Sequence, residues 1–346
     1  MRKFDYCSLI DKKWDSEILE YVANIHEYKG KQEFYLKCTP EKLEKLVEIA
    51  KVQSTESSNA IEGIRTTNTR LKQLVNDKTT PKNRDEEEIA GYRDVLNVIH
   101  ENYEYINISS NYILQFHKIL FSQSSRAIGG KFKNVQNYIS GINKNGESYT
   151  IFTPLAPYET ADAIDNICEQ FNKALAIGVE PLILIPIFIH DFLCIHPFLD
   201  GNGRMSRLLT TLLLYKCGYK VGKYISLEAK ISKNKNLYYD ALSMSQNGWH
   251  EGMENDIPFI KYLLGIVLSA YRDFEDRFEL IEAKLTAQEM VQQAVDGVIG
   301  KFTKADIVEL CPTLSVKTIE VAIKKLLDNG DIIKNGVGKA TFYIKK

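Results

Sequence analysis

One twelve-residue segment combines most of the side chains that could do chemistry. It reads HPFLDGNGRMSR, runs from His196 to Arg207, and separates a nearly all-apolar stretch from a second apolar, helical one. Pro197 and the Asp-Gly-Asn-Gly turn must end the first helix, because glycine adopts backbone conformations that other residues resist. We therefore expect a loop that opens the N-terminus of a helix.

Such a junction is suited to binding phosphate. Free backbone N–H groups and the positive end of the helix dipole form a ready anion site. Arg204 and Arg207 are three residues apart and share one helical face, so two guanidinium groups suit a polyphosphate. The amides expected to point outward are those of Gly203, Arg204, Met205 and Ser206.

Two further side chains of this segment fit a reaction on phosphate. Asp200 offers a hard oxygen ligand for a Mg²⁺ ion that bridges phosphates. His196 is the one residue of the loop that titrates near neutrality, and it could take a proton from an attacking hydroxyl. Each residue alone is more often structural, but their combination in one short segment favours a function.

Other nucleotide and metal motifs are excluded. The segment NGVGKAT at 335–341 is not a phosphate-binding P-loop, because Ile333 stands where the first glycine belongs and Ala340 follows the lysine. GNGRMS is not a dinucleotide fingerprint, since Ser206 takes the place of the third glycine. Neither HExxH nor paired cysteines at zinc spacing occur.

The segment HPFLDGNGRMSR matches in full the Fic motif HxFx(D/E)GNGRxxR, and the chain resembles Fic-domain adenylyltransferases over about residues 40–270. These enzymes transfer AMP from ATP to a Ser, Thr or Tyr hydroxyl of a target protein and release pyrophosphate. The resemblance implies that His196 is the general base, that Asp200 binds Mg²⁺, and that Arg204 and Arg207 clamp the β- and γ-phosphates. It implies the following ATP-binding residues in the loop and helix: Gly201, Asn202, Gly203, Arg204, Met205, Ser206 and Arg207.

A second match lies upstream, in STESSNAIEGIRTT. Ser58, Glu62 and Gly63 fit the [S/T]xxxE[G/N] motif of the inhibitory helix in the same family. The resemblance therefore implies a self-inhibited enzyme of the class with an N-terminal inhibitory helix. A carboxylate placed against Arg207 would neutralise the clamp intended for the γ-phosphate, so that ATP binds unproductively.

The stretch 128–155 carries Gly, Asn and Lys turns between short Tyr, Ile, Thr and Phe runs, which predicts a β-hairpin. The resemblance makes residues 138–155 the flap on which a target protein docks by strand pairing. Lys133 stands where the family commonly has arginine, and TPL at 153–155 replaces the usual double proline. The choice of target is therefore open.

The segment NKNLYYDALSMSQNG resembles the helix that lines the adenine pocket of the family. Tyr239 is the expected contact to the base, and Tyr238 is expected to pack in the core. Either Gln246 or Asn247 would be the polar residue that reads the base, and the sequence does not decide between them.

Elements that position these residues are mainly helical. Apolar residues at three-and-four spacing predict helices over 40–53, 84–106, 158–177, 203–217 and 255–284, and the apolar stretch 181–195 predicts a buried central helix. We expect a mainly α protein with a Fic-type helical bundle and a β-hairpin flap, followed by a C-terminal winged-helix domain.

The winged helix is predicted from the order of three helices and a strand-like pair after about Lys284. Residues 301–346 contain nine Lys against five Asp or Glu. Ser315 would cap the recognition helix, and the lysines that would contact phosphate are Lys317, Lys324 and Lys325. Winged helices also bind proteins, so DNA and a protein remain alternative partners.

Length and composition limit the remaining choices. The 346 residues allow three parts: an N-terminal helical region at 1–110 with the inhibitory helix, a catalytic core at 111–275 and the winged helix at 276–346. A net charge of −1 excludes a global field for nucleic acid, and no apolar run is long enough for a membrane span. Six separated cysteines suggest reduced, mostly buried thiols, and we expect a cytoplasmic protein.

The leading hypothesis is a self-inhibited protein adenylyltransferase that uses ATP and Mg²⁺. One alternative is an enzyme with the same loop that removes AMP or transfers another nucleotide. A second is a DNA-binding regulator in which the Fic fold senses a nucleotide. A homodimer is compatible with the resemblance, and nothing in the sequence decides it.

Overall fold

The computed structural model describes residues 2–38, 40–142, 146–282, 285–298 and 300–345. Helices dominate these residues. The first ten helices are α1 (Ser16–Cys38), α2 (Pro40–Ile61), α3 (Asn68–Val75), α4 (Arg84–Asn102), α5 (Ser110–Leu120), α6 (Pro157–Ala176), α7 (Pro181–Ile195), α8 (Asn202–Lys216), α9 (Leu227–Lys233) and α10 (Lys235–Ser245). The last four are α11 (Ile257–Glu282), α12 (Ala287–Gly297), α13 (Lys304–Leu310) and α14 (Val316–Asn329).

The five helices predicted from apolar spacing are confirmed as α2, α4, α6, α8 and α11. Local signals explain where they begin. The Asn83 side chain accepts a hydrogen bond from the Glu86 amide and caps α4, and Pro157 starts α6. Helix α2 runs past the predicted end at residue 53 as far as Ile61, and the predicted end of α11 at Lys284 lies outside the described residues.

Helix α7 forms the centre of the bundle. Every residue from Leu182 to Ile195 is buried, as the nearly all-apolar sequence predicts. Helix α8 packs beside it and buries most of its own length, so the loop between the two helices is held from both sides. The main hydrophobic cluster surrounds this pair and extends from Phe4 to Phe278.

The predicted hairpin is confirmed as strands β1 (Ile139–Ile142) and β2 (Ser148–Phe152). They pair antiparallel, with Ile142 opposite Ser148 and an irregularity between Ile139 and Ser140. Three residues of the connecting turn, 143–145, lie outside the described residues.

A second hydrophobic cluster forms in the C-terminal residues, from Met290 to Ile332. Helices α12, α13 and α14 surround it together with strands β3 (Lys301–Phe302), β4 (Ile332–Asn335) and β5 (Phe342–Lys345) in the sheet order β3-β5-β4. Ser315 caps α14, as predicted. Helix α11 is continuous across the predicted boundary at 275/276, and the limits of the three parts stay a prediction.

The C-terminal residues contact the main helical bundle near α2. The Lys45 ammonium of α2 donates to the Thr313 carbonyl, and Lys233 of α9 forms an ion pair with Glu309 at 2.6 Å. Helix α9 itself packs along α2. The helix that carries the predicted inhibitory residues therefore touches both hydrophobic units.

The cysteines that the structure describes with side chains, Cys7, Cys168, Cys194, Cys217 and Cys311, are free thiols. Three of them are buried, in agreement with the sequence. Along the described parts of the chain, no helix is both long and apolar enough to cross a bilayer.

Gly91 allows α4 to lie directly against the end of α5. A Cβ atom at this position would come within 2.0 Å of the Leu120 carbonyl oxygen, which belongs to the backbone and cannot rotate away. We expect Gly91→Ala to lower the free energy of unfolding by about 1–3 kcal/mol, the usual effect of overpacking. Chemical denaturation followed by circular dichroism measures it.

Gly30→Ala is the matched control, because Gly30 also lies inside a helix. Among the described residues, no atom beyond its own helix and chain neighbours lies within 4 Å of its added Cβ. This variant should be more stable by about 0.5–1 kcal/mol. Equal stability changes in the two variants would contradict the close approach of α4 and α5.

Candidate functional site

The loop between α7 and α8 takes its shape from two left-handed backbone conformations. His196 ends α7 with φ 51°, and Gly201 begins α8 with φ 83°. Gly201 adopts this region at no steric cost, whereas His196 is held there although its side chain disfavours it. The loop is therefore specified by its surroundings as well as by its glycines.

Side chains on both sides of the loop fix it. The Asn202 amide accepts from the Phe198 N–H at 2.9 Å and donates to the Phe198 carbonyl at 2.7 Å. His117 of α5 stacks on the Phe198 ring, with centroids 3.7 Å apart, and its Nε2 donates to the Asp200 carbonyl at 3.1 Å. The Asn202 side chain, predicted to hold phosphate, thus closes the loop on itself.

Lys133 and Asn137, just before the hairpin, hold the other side of the loop. The buried Lys133 ammonium donates to the Ile195 carbonyl at 2.9 Å, and burial lowers its pKa to about 8. The Asn137 amide donates to the carbonyls of His196 and Phe198. The sequence marked Lys133 only as a departure from the family pattern, and it gave no signal for Asn137.

The His196 imidazole is poised as a base. Its Nδ1 lies 3.2 Å from the Leu193 carbonyl, which can only accept, so Nδ1 carries the hydrogen and Nε2 is left with a free lone pair. Burial lowers the pKa of His196 to about 4, and the nearby Lys133 ammonium adds to this effect. The ring is therefore neutral at physiological pH.

Helix α8 presents its N-terminus beside His196, but fewer amides are free than predicted. The Met205 amide donates to the Gly201 carbonyl at 2.8 Å, and the helical register assigns the Ser206 amide to the Asn202 carbonyl. The expectation of outward amides at Met205 and Ser206 is therefore wrong. The amides left without a partner inside the helix are those of Asn202, Gly203 and Arg204.

Asp200 is an ionised carboxylate held by arginines that the sequence analysis did not single out. Its Oδ2 lies 2.6 Å from Arg126 Nη1 and 3.7 Å from Arg84 Nη2. Burial opposes ionisation of Asp200, but the bond from Arg126 and the charge of Arg204 outweigh burial and lower its pKa. The negative charge expected of a Mg²⁺ ligand is thus present.

Arg204 is paired with carboxylates, and its Nη2 lies 3.7 Å from Asp200 Oδ1 in the loop. Its guanidinium is buried and forms an ion pair with the buried Glu88 carboxylate at 2.8 Å. Its Nε and Nη1 have no hydrogen-bond partner among the described residues. The predicted role as a phosphate clamp stays a prediction, because in this structure Glu88 of α4, which the sequence analysis missed, takes the charge.

Arg207 contacts two of the predicted inhibitory residues, Ser58 and Glu62, which lie 149 and 145 positions earlier in the sequence. Its Nε donates to Ser58 Oγ at 2.8 Å, and its Nη2 donates to the Ser58 carbonyl at 2.9 Å and to Glu62 Oε1 at 2.7 Å. Burial disfavours the Arg207 cation, but the charge of Glu62 and its hydrogen bond, together with Tyr238 and Tyr92, outweigh burial and raise the pKa of Arg207. The contact predicted from the two motifs is present.

Gly63 explains how Glu62 reaches this position. Gly63 adopts φ 83° and ends α2, so that Glu62 is the last residue before the chain turns. The Glu62 carboxylate lies over the start of α8, where its Oε1 would be 2.3 Å from a Cβ atom at Gly203. Only glycine at 203 admits the carboxylate this closely.

A cavity of about 770 Å³ joins these groups. The predicted site residues that line it are His196, Asp200, Gly201, Asn202, Gly203, Arg207, Tyr239 and Glu62. Ser58, Gly63, Arg204, Met205 and Ser206 are not among the described residues that line it. Met205 and Ser206 are buried against the core, and the Ser206 hydroxyl donates to the Gly203 carbonyl.

The far wall of the cavity is formed by α10 and the hairpin. Tyr239 is 43% exposed and faces the cavity, whereas its neighbour Tyr238 is almost fully buried and its pKa is raised chiefly by that burial. Gln246 lines this cavity, and Asn247 lines a neighbouring one of about 590 Å³. Of the two polar candidates, Gln246 is the one in reach of a ligand here.

The fold and the site together define a helical protein with a helix N-terminus open to a cavity, a neutral histidine beside it and a carboxylate paired with an arginine. The sequence model of the Fic/DOC family matches residues 107–214, which include this loop. The chain therefore contains a Fic domain.

Known relatives agree with this assignment. The chain is 27% identical over 116 residues to protein adenylyltransferase fic-1 of Caenorhabditis briggsae, covering 34% of this chain and 21% of that protein. It is 28% identical over 159 residues to protein adenylyltransferase Fic of Drosophila yakuba, covering 46% and 28%. The chain thus spans about a quarter of the length of these curated relatives.

Solved structures show the same fold over more of the chain. A Fic family protein from Desulfovibrio desulfuricans matches with a TM-score of 0.61 at 18% identity and covers 97% of both chains. A Fic domain containing signaling protein from Bacteroides thetaiotaomicron matches with a TM-score of 0.61 at 24% identity, covering 72% of this chain and 94% of that one. The likeness extends beyond the residues that the family model matches.

We expect the His196 imidazole to remain neutral down to about pH 5. Burial disfavours the imidazolium, so protonation follows only when the pH approaches its lowered pKa of about 4. Long-range ¹H–¹⁵N spectra recorded between pH 8 and 4.5 measure the protonation directly, and the spectrum of His196→Ala assigns the signal. Half-protonation near pH 6.5 would contradict the buried geometry.

Proposed function

We propose that the protein transfers AMP from ATP to a Ser, Thr or Tyr hydroxyl of a target protein and releases pyrophosphate. The observation that carries the proposal is the free Nε2 of His196, which shares one cavity with the N-terminus of α8 and with Arg207. The names of the relatives support the same activity.

In the proposed reaction, the hydroxyl oxygen of the target attacks the α-phosphorus of ATP. The new P–O bond forms as the bond between the α-phosphorus and the α–β bridging oxygen breaks, and that oxygen leaves with pyrophosphate. The hydroxyl proton passes to His196 Nε2, which its neutral state allows. The amides at the start of α8 and the Arg207 guanidinium stabilise the phosphate charge.

Asp200 fits the role of a Mg²⁺ ligand. Among the described residues no group of three or more His, Cys, Asp or Glu could hold a metal alone. A single ionised carboxylate is nonetheless what Mg²⁺ requires when substrate phosphates and water supply its other ligands. When bound, the ion would neutralise phosphate charge beside the Asp200 carboxylate, whose Oδ2 here accepts from Arg126.

The inhibition proposed for this enzyme follows from the position of Glu62. Its carboxylate pairs with the Arg207 guanidinium and occupies the space over Gly203, and these are the two features of α8 that suit a phosphate group. A γ-phosphate directed there would meet a like charge. ATP would therefore bind in an unproductive position until Glu62 moves.

The hairpin is the proposed docking site for the target segment. Ile139 and Ser140 of β1 and Tyr149 and Ile151 of β2 line the cavity, so a strand that pairs with the hairpin passes beside His196. Main-chain hydrogen bonds would dock the target without a strict sequence requirement.

We propose further that the residues from Ala287 onward form a winged helix. In support, α12, α13 and α14 and the three strands follow the order of that fold, with β4 and β5 as the wing. Lys317, Lys324 and Lys325 of α14 are exposed and could contact the phosphates of duplex DNA. A protein partner is the alternative.

His196→Ala should lower AMP transfer by about 10²–10⁴-fold, because no other group takes the proton at that point. Binding of ATP should change little. Transfer of α-labelled AMP and equilibrium binding of a fluorescent ATP analogue measure the two quantities. If transfer persists at the wild-type rate, the assignment of the base fails.

Glu62→Gly should raise AMP transfer by on the order of 10²-fold, since it frees the Arg207 guanidinium for phosphate. The measurement is incorporation of label into the protein itself and into lysate proteins, with labelled GTP, CTP and UTP compared in parallel. Glu56→Ala, on the same helix but away from Arg207, is the control and should leave transfer unchanged. An unchanged rate in Glu62→Gly would refute the inhibitory contact.

A further inference from the structure

The C-terminal end of α2 has an unusual set of partners. The last four carbonyl groups of any helix lack a partner inside the helix and must find one elsewhere. Here the Asn59 carbonyl accepts from the Ile64 amide at 3.0 Å, and the Ala60 carbonyl accepts from the Gly63 amide at 3.1 Å. These bonds are the standard closure of a helix that ends in a left-handed glycine.

The two other carbonyls are taken by cations from the catalytic bundle. The Ser58 carbonyl accepts from Arg207 Nη2 at 2.9 Å, and the Ile61 carbonyl accepts from Lys235 Nζ at 2.5 Å. A positive charge at this end of a helix also opposes the negative end of its dipole. Lys235 therefore satisfies the Ile61 carbonyl in the same way as Arg207 satisfies the Ser58 carbonyl.

Lys235 also belongs to the nucleotide side of the site. It is the first residue of α10, it lines the cavity, and its ammonium lies 5.5 Å from the centroid of the Tyr239 ring. Neither the Fic motif nor the inhibitory motif includes it. One lysine thus connects the end of the helix that carries Glu62 with the wall of the cavity.

We infer that Lys235 is a positioning residue that holds the end of α2, and with it Glu62, in the position that blocks the site. The inference rests on the proposed function. Because a bond from an ammonium to a phosphate is stronger than one to a neutral carbonyl, a nucleotide phosphate competes with Ile61 for Lys235. Arg207 is subject to the same competition between Glu62 and phosphate. The two cations form one latch that ATP opens from inside the cavity.

The first test is hydrogen–deuterium exchange at the end of α2 without nucleotide. Lys235→Met keeps most of the side chain but removes the donor, so the amides of Glu62, Gly63 and Ile64 should exchange about tenfold faster. Lys235→Arg should restore slow exchange. Lys216→Met is the control, because Lys216 also donates to main-chain carbonyls but lies outside the cavity. Unchanged exchange in Lys235→Met would overturn the inference.

The second test separates the latch from simple nucleotide binding. At saturating ATP, Lys235→Met should raise the maximal rate of AMP transfer severalfold in the wild-type background. In the Glu62→Gly background it should raise the KM for ATP, because a phosphate contact is lost, but should not raise the maximal rate, since Glu62 is then already absent. Lys235→Arg should return the rate to the wild-type level. A rate that falls equally in both backgrounds would make Lys235 a nucleotide-binding residue only and would also overturn the inference.

A failure of the inference about Lys235 can be distinguished from a failure of the proposed function. If Glu62→Gly transfers no AMP from labelled ATP to itself or to lysate proteins, the proposed activity fails. The exchange measurement still decides whether Lys235 holds α2, because it needs neither substrate nor turnover.

Discussion

The site is organised around the buried Arg207 guanidinium. A buried cation must be paired, because an uncompensated charge in the protein interior is very costly. Arg207 is 3% exposed, and three of its hydrogen bonds go to one turn at the end of α2, to the Ser58 hydroxyl, the Ser58 carbonyl and the Glu62 carboxylate. The need to neutralise Arg207 therefore holds the end of α2 against α8. Helix α2 in turn packs on α4 and α9.

Three residues with left-handed backbone conformations place the groups of the site around one cavity. Gly63 ends α2 so that Glu62 projects over α8, and Gly201 starts α8 so that its free amides face the same space. His196, in a left-handed conformation that its side chain disfavours, turns its ring into the cavity between them. Lys133 and Asn137 bond to the carbonyls around His196 and stabilise this conformation. The strain at His196 is thus offset by residues outside the loop.

Much of this could be predicted from the sequence because the signals are local. Apolar spacing identified the main helices, the Asp-Gly-Asn-Gly turn identified the loop, and two motifs predicted the contact between Glu62 and Arg207.

The partners of Asp200 and Arg204 could not be predicted in this way. Arg126 and Glu88 lie 74 and 116 positions away from them, and no periodicity or turn signal relates charges at such separations. The free amides of Met205 and Ser206 were predicted wrongly because the first residue of α8 decides which amides the helix uses, and sequence patterns define helix ends poorly.

The cations that line the cavity, and Arg126 beside its Asp200, share one property that bears on how a polyphosphate could enter. Arg207 is held by Glu62, Lys235 by the Ile61 carbonyl, and Arg126 by Asp200, so each cation already has an acceptor of its own. In the proposed function, a polyphosphate that binds these cations displaces the acceptors that they already have. Two of the three acceptors lie at the end of α2, so the exchange at Arg207 and at Lys235 would loosen the same turn. Because Lys45 near the other end of α2 bonds to Thr313, the proposed latch would make the position of α2 depend on the nucleotide at one end and on the C-terminal residues at the other.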